Sequence, residues 1–224
     1  MDVNADSMRQ YSSLSKRVDC VARLATVNRV ACLEVADEAG LARIHSISNE
    51  GIELSSILQL SIGQRVRLSL SETVSATVTV TSKDGGRYSV RFEQPINCAE
   101  LLRHLVDEAR SSRTRPLRLS THGIKARARS ANGSHELEVE DISQRGMKVR
   151  HDGSFQPGLR LCVRLPNGLE CRGLVRWTRD LSAGLSLMDI LSASELGAVS
   201  LLSRDGKSAE VPTPNARQAA PEPS

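Results

Sequence analysis

The chain repeats itself without a gap. Ser46-Ile-Ser-Asn-Glu-Gly-Ile-Glu-Leu54 and Asp141-Ile-Ser-Gln-Arg-Gly-Met-Lys-Val149 share the pattern (Ser/Asp)-Ile-Ser-x-x-Gly, followed by alternating apolar positions, and position 46 answers to position 141, an offset of 95. The same offset brings the run from Gly63 (GQRVRLSL) onto the run from Gly158 (GLRLCVRL), and Val80 onto Val175. A period of this kind outranks any local propensity, because it says that one folding unit is encoded twice.

The repeat extends to which residues are apolar. Leu137, Val139, Met147, Val149, Leu161, Val163, Leu165, Leu169, Cys171, Val175, Leu185 and Leu187 stand at odd positions in the second half. Their counterparts are Ala42, Ile44, Ile52, Leu54, Val66, Leu68, Leu70, Val74, Ala76, Val80, Val90 and Phe92. A spacing of two within each run is the period of a strand buried on one face. Each half then offers a reciprocal N-cap pattern, Asn97-Cys-Ala-Glu100 and Ser192-Ala-Ser-Glu195, leading into LLRHLVDEAR and LGAVSLLSRD. The expected fold class is all-β: two tandem small antiparallel β-barrels, each followed by a C-terminal helix. The expected division is a tail at 1–13, domains at 14–109 and 110–205, and a disordered Pro/Ala-rich tail at 206–224.

With 39% hydrophobic and 25% charged residues in 224, the composition is that of a soluble globular protein. Aromatics make up only 2%, too few for a platform that stacks single-stranded nucleic acid, and nucleic acid is not the expected partner. No secretory signal or apolar run of membrane-spanning length is visible, which predicts a cytoplasmic chain without membrane insertion. Cys20, Cys32, Cys98, Cys162 and Cys171 form no metal-binding spacing, so no metal or cofactor is expected. No histidine lies in a nucleophile motif, and the reading is of a binding protein, not an enzyme. A hairpin at Pro166-Asn167-Gly168 pairs Val163 with Cys171 and turns Cys162 to the opposite face, against a disulfide.

Charge is concentrated where the halves join. From Arg110 to Arg129 there are seven cationic residues (Arg110, Arg113, Arg115, Arg118, Lys125, Arg127, Arg129) and no acid. Such a segment is either a solvated linker or an arginine clamp for phosphates and purine faces. In the turn that follows, Asp141 or Ser143 reads as a cap and Gly146 as a residue of positive φ. The first copy keeps Ser48 and Gly51 but has Ser46 in place of Asp141, so the turn does not need the acid. An acceptor-only carboxylate there suits the N–H edge of a guanine.

A basic segment followed at this distance by D-x-S-x-x-G, with Gly-Leu-Val-Arg-Trp at 173–177 and Ala-Gly-Leu-Ser-Leu at 183–187, resembles the PilZ family. The resemblance covers Thr114 to about Arg204 well and Asp19 to about Arg110 more weakly. It implies a six-stranded barrel that binds cyclic di-GMP in bacterial signalling, and an unidentified protein partner downstream. It implies ligand contacts from Arg118, Asp141, Ser143 and Gly146. The first arginine of the family's R-x-x-x-R falls on Thr114, flanked by Arg113 and Arg115 as auxiliary phosphate contacts. In the first copy Arg23 matches the second arginine, while Asp19 and Ser46 replace the other charges, as in a structural copy without a site. The rival reading, two degenerate barrels that bind a protein and no nucleotide, turns on Thr114.

Overall fold

The structure is a computed structural model, and it describes residues 25–110 and 115–204. Strands β1 (Ala25–Val35), β2 (Glu38–Ile47), β3 (Gly51–Ser55), β4 (Arg65–Ser69), β5 (Ser75–Asp84) and β6 (Arg87–Phe92) close into an antiparallel barrel in the order β1-β2-β3-β6-β5-β4. Strands β7 (Arg118–Ser130), β8 (Gly133–Ser143), β9 (Gly146–Arg150), β10 (Arg160–Arg164), β11 (Glu170–Arg179) and β12 (Ser182–Leu187) close into a second barrel of the same order.

The offset of 95 survives as hydrogen bonds. Gly63 N–H donates to Val80 O and Gly158 N–H to Val175 O, both at 2.8 Å; Phe92 N–H donates to Glu50 O and Leu187 N–H to Arg145 O, both at 2.9 Å. The irregularities repeat as well. The ladder slips between Ile44 and Ser46 and between Val139 and Asp141, and again between Val80 and Ser82 and between Val175 and Trp177. Of the apolar positions read from the sequence, all are buried except Ala76, Leu169 and Leu187, which are half-buried. Each buried Leu, Ile or Val contributes about 1.5–3 kcal/mol. Cys171 faces Val163 across the hairpin as predicted; burial pushes its thiol up to about 12, and Cys162 is free on the outer side.

Helix α1 (Cys98–Arg110) closes the first barrel with Cys98, Leu101 and Leu105 buried. Its cap forms as the pattern requires, with Glu100 N–H on Asn97 Oδ1 at 3.2 Å. The matching cap in the second half also forms, with Glu195 N–H on Ser192 Oγ at 3.1 Å. There the helix does not continue. Ala198 is extended (φ −155, ψ 133), and only α2 (Val199–Leu202), four residues, follows. Gly197 is a poor helix former, and the chain here turns onto the first barrel.

That contact joins the two barrels. Leu41 N–H donates to Leu196 O at 2.8 Å, and Ser200 N–H to Glu38 Oε1 at 3.0 Å. Cys32 and Leu41 point out of their own barrel and are buried among the core side chains of the second, with Val30 and Ala39 beside them. Burial, helped by Glu34, pushes the Cys32 thiol up to about 12. Gly40 is needed for the close approach: a Cβ there would lie 1.9 Å from Gly197 O.

Candidate functional site

In a regular strand Asp141 would share the inward face of Val139, and Trp177 that of Val175. The two slips in the ladder add a residue each and turn both side chains outward, the usual effect of a bulge. One row then crosses the outside of the second barrel. Ser120 stands opposite Asp141, Asp141 opposite Lys148, Lys148 opposite Gly184, and Gly184 opposite Trp177. Directly opposed residues on one face have Cβ atoms about 5 Å apart.

Arg118, at the start of β7, reaches the acid of this row: its guanidinium donates to Asp141 Oδ1. Asp141 keeps 25% of its side chain exposed and Arg118 41%, so both remain accessible. Lys148 is held from the other side by Glu140 at 2.7 Å, with Arg150 Nε 3.5 Å from the same carboxylate. The hydrogen bond from Lys148 holds the Glu140 carboxyl below the usual range. Trp177, the single tryptophan of the chain, lies across Gly184, where a Cβ would come within 2.1 Å of the indole Nε1. Trp177 is nevertheless 45% exposed.

The turn behind the row is rigidly braced. Ser143 Oγ is buried and donates to Gly146 O at 3.1 Å, as Ser48 Oγ does to Gly51 O at 3.2 Å. Gln144 donates through Nε2 to Leu191 O and accepts from Leu191 N–H, both at 2.9 Å. Gly146 does not have the expected positive φ. Glycine is required there because a Cβ would meet Leu185 O at 2.9 Å, and at Gly51 because it would meet Val90 O at 2.2 Å. Ser143 and Gly146 therefore shape the turn, while Arg118 and Asp141 present the charge. Arg115 is exposed three residues before Arg118; Arg113, Thr114, Arg23 and Asp19 lie outside the described residues.

Together these side chains offer a bidentate cation, an acceptor-only carboxylate, an ammonium group and a flat aromatic face. That set suits a planar heterocycle with a donor edge and attached phosphate.

The family profile described as "PilZ domain" matches the chain twice, over residues 15–108 and 109–201. The chain belongs to the PilZ domain family. Similar solved structures include PlzA of Borreliella burgdorferi in complex with c-di-GMP, at 11% identity over 89% of this chain and 98% of that one, with a TM-score of 0.37. They also include MrkH of K. pneumonia in complex with c-di-GMP (13% identity, 76% and 89% covered, TM-score 0.30). YcgR from Escherichia coli in complex with c-di-GMP is a third (14% identity, 84% and 81% covered, TM-score 0.27). Among curated proteins none matches.

Within this tandem PilZ chain the two domains differ at every position of the row. The first carries Ser46 opposite Glu53, Glu53 opposite Ser89 and Ser89 opposite Ser82. Ser46 Oγ donates to Glu53 Oε2 at 2.8 Å, so even its one acid is engaged. The row of the first PilZ domain has no cation and no aromatic ring. Sequence reasoning passed over Lys148 and the Trp177–Gly184 pair, which the structure brings into the row of Asp141; the alignment of the copies carried the signal, since Lys148 replaces Glu53 and Trp177 replaces Ser82. Among the described residues of the PilZ chain no cluster of three or more His, Cys, Asp or Glu could hold a metal, and no helix is long and apolar enough to cross a membrane.

Proposed function

We propose that this PilZ chain is a non-enzymatic receptor for cyclic di-GMP in bacterial signalling, with one site on the second barrel. The observation that carries the reading is the Arg118–Asp141 pair, present in the copy that has Lys148 and Trp177 in the same row and absent from the copy that lacks them. Asp141 accepts from the N1–H and N2–H₂ edge of a guanine. Arg118 turns from the carboxylate to a phosphate or shares itself between the two, and the Trp177 indole supplies the base with an apolar face. Ser143 and Gly146 hold the turn, and Arg113 and Arg115 add phosphate contacts from the segment before β7. The bound protein then acts as an adaptor toward a protein partner. The first barrel takes no part in nucleotide contact.

Calorimetric titration of the full chain with cyclic di-GMP tests this. Saturable binding that is abolished or much weakened by Asp141→Ala, and unchanged by Glu53→Gln, is expected. No binding by the intact chain at physiological salt would overturn the reading. That result would favour the protein-binding module, which rests on Thr114 standing at the family's first arginine position.

A further inference from the structure

Farther along the strands that carry the Asp141 row, β7, β8, β10 and β11, with Arg150 of β9, line a depression of about 1070 Å³. One cross-strand row through it reads Glu136, Arg127, Arg164, Glu170. Arg127 and Arg164 are thus directly opposed on neighbouring strands. Like charges so placed destabilise a sheet. Arg129 lies two residues along β7 from Arg127, and Lys125 two residues the other way. These four cationic side chains are exposed, and Arg150 of β9 adds a fifth, 3.5 Å from Glu140.

The carboxylates nearby engage these cations only loosely. Glu170 serves two guanidiniums at the edge of contact distance, Arg129 at 3.8 Å and Arg164 at 3.9 Å. Arg127 and Lys125 have no ion pair among the described residues, although Glu136 and Glu138 face them across β8.

The first barrel shows the same strands closing with other residues, on a face that its neighbour covers. Its residues at these positions are Cys32 opposite Ser69, with an ion pair between Glu34 and Arg67 at 3.8 Å. The same strands therefore close without opposed arginines, and with one sign of charge answering the other. The second copy carries four arginines and a lysine around this depression instead. Guanidinium groups so gathered are matched to phosphate oxygens, which accept their N–H groups in pairs.

We infer that this depression is a second anion site, for a compact molecule carrying adjacent phosphates, seated between Arg127 and Arg164 and separate from the Asp141 row. A compact anion fits better than a nucleic-acid strand. Glu136 and Glu138 border the cations along β8, and Glu170 stands beyond Arg164, so a polyanion running past the arginines would meet carboxylates on both sides.

The experiment is calorimetric titration of the full chain with inorganic tripolyphosphate, alongside a short duplex DNA, at low and physiological salt. Tripolyphosphate is expected to bind at one site. Replacing Arg127→Cys together with Arg164→Ser, the residues that the first copy carries in the same register, should weaken it roughly tenfold or more. Glu170→Gln, which frees Arg129 and Arg164 from their competitor, should tighten it several-fold, and this gain keeps the test decisive if the double variant fails to fold. The cyclic di-GMP titration should be the same in all of these proteins. The inference is overturned by an absence of tripolyphosphate binding, by binding indifferent to both substitutions, by duplex DNA binding more tightly through the same arginines, or by loss of tripolyphosphate on adding cyclic di-GMP.

Discussion

Leu41 of the first barrel donates its backbone N–H to the carbonyl of Leu196 of the second at 2.8 Å, and its side chain is 98% removed from solvent by that neighbour and the residues around it. This edge bond is made possible by one glycine set against the backbone of another, Gly40 against the carbonyl of Gly197. A methyl group on the first would strike backbone, which cannot swing aside as a side chain could. Gly40→Ala is therefore expected to part the barrels locally and to cost about 1–3 kcal/mol. Scanning calorimetry should show the melting temperature lowered; an unchanged value would mean that the contact is slack.

The ion pair of Arg118 and Asp141 is partly exposed, so by itself it contributes at most about 1 kcal/mol to stability. On the proposed reading its members matter far more to the ligand. Arg118→Ala and Asp141→Ala should each weaken cyclic di-GMP binding by about 1.5–3 kcal/mol, the scale of a hydrogen bond to a charged group. The melting temperature should hardly move. The double variant should lose less than the sum, because both groups contact one molecule and each other. Strict additivity in calorimetry would place them at independent sites.

Gly184→Val would drive a side chain into the space of the Trp177 indole. The ring can swing outward because it is already half exposed, so the barrel should survive. The emission of this single tryptophan should change, and cyclic di-GMP affinity should fall with it. Loss of the fluorescence signature with full affinity retained would remove Trp177 from the site.

His151 gives the second barrel a pH dependence. Its ring stacks on Phe155 at 4.5 Å, and Nδ1 accepts the backbone N–H of Gly153 at 3.0 Å and, more weakly, of Phe155 at 3.4 Å. Burial holds its pKa below the usual histidine range. The unfolded chain, near 6.5, takes up the proton first. The stability linked to His151 is thus fully present above about pH 6.5 and is lost as pH falls through the lower folded value. Unfolding free energy measured from pH 7 to pH 5 should decline less steeply in His151→Phe than in the parent. Parallel curves would show that other groups set the slope.

The inward faces were readable because a strand's period of two leaves a mark over many residues. Asp141 and Trp177 defeated that rule: both carry the parity of core positions, and only a bulge, which has no sequence signature of its own here, sends them out. The turn pattern predicts a positive φ at Gly146, whereas its true constraint is the Leu185 carbonyl, a neighbour 39 positions away that no local pattern reveals. Cys32 and Leu41 did leave a trace, as apolar residues on a face otherwise polar, but nothing in one strand says what covers it. For the same reason the short α2 was not legible: the Ser192–Glu195 cap before it is sound, and the chain docks onto β2 through Leu196 just before Gly197.

A unit that grips its neighbour through one unlike face could in principle go on adding copies, since a head-to-tail contact that does not close generates a filament. Among the described residues the receiving face exists once. Where the first barrel shows Val30, Cys32 and Leu41 to its neighbour, the second has Lys125, Arg127 and Glu136 at the same register positions. A third barrel offering another Leu196 would have to strip water from those charges. The duplication thus carries its own stop signal against end-to-end growth, written in three side chains.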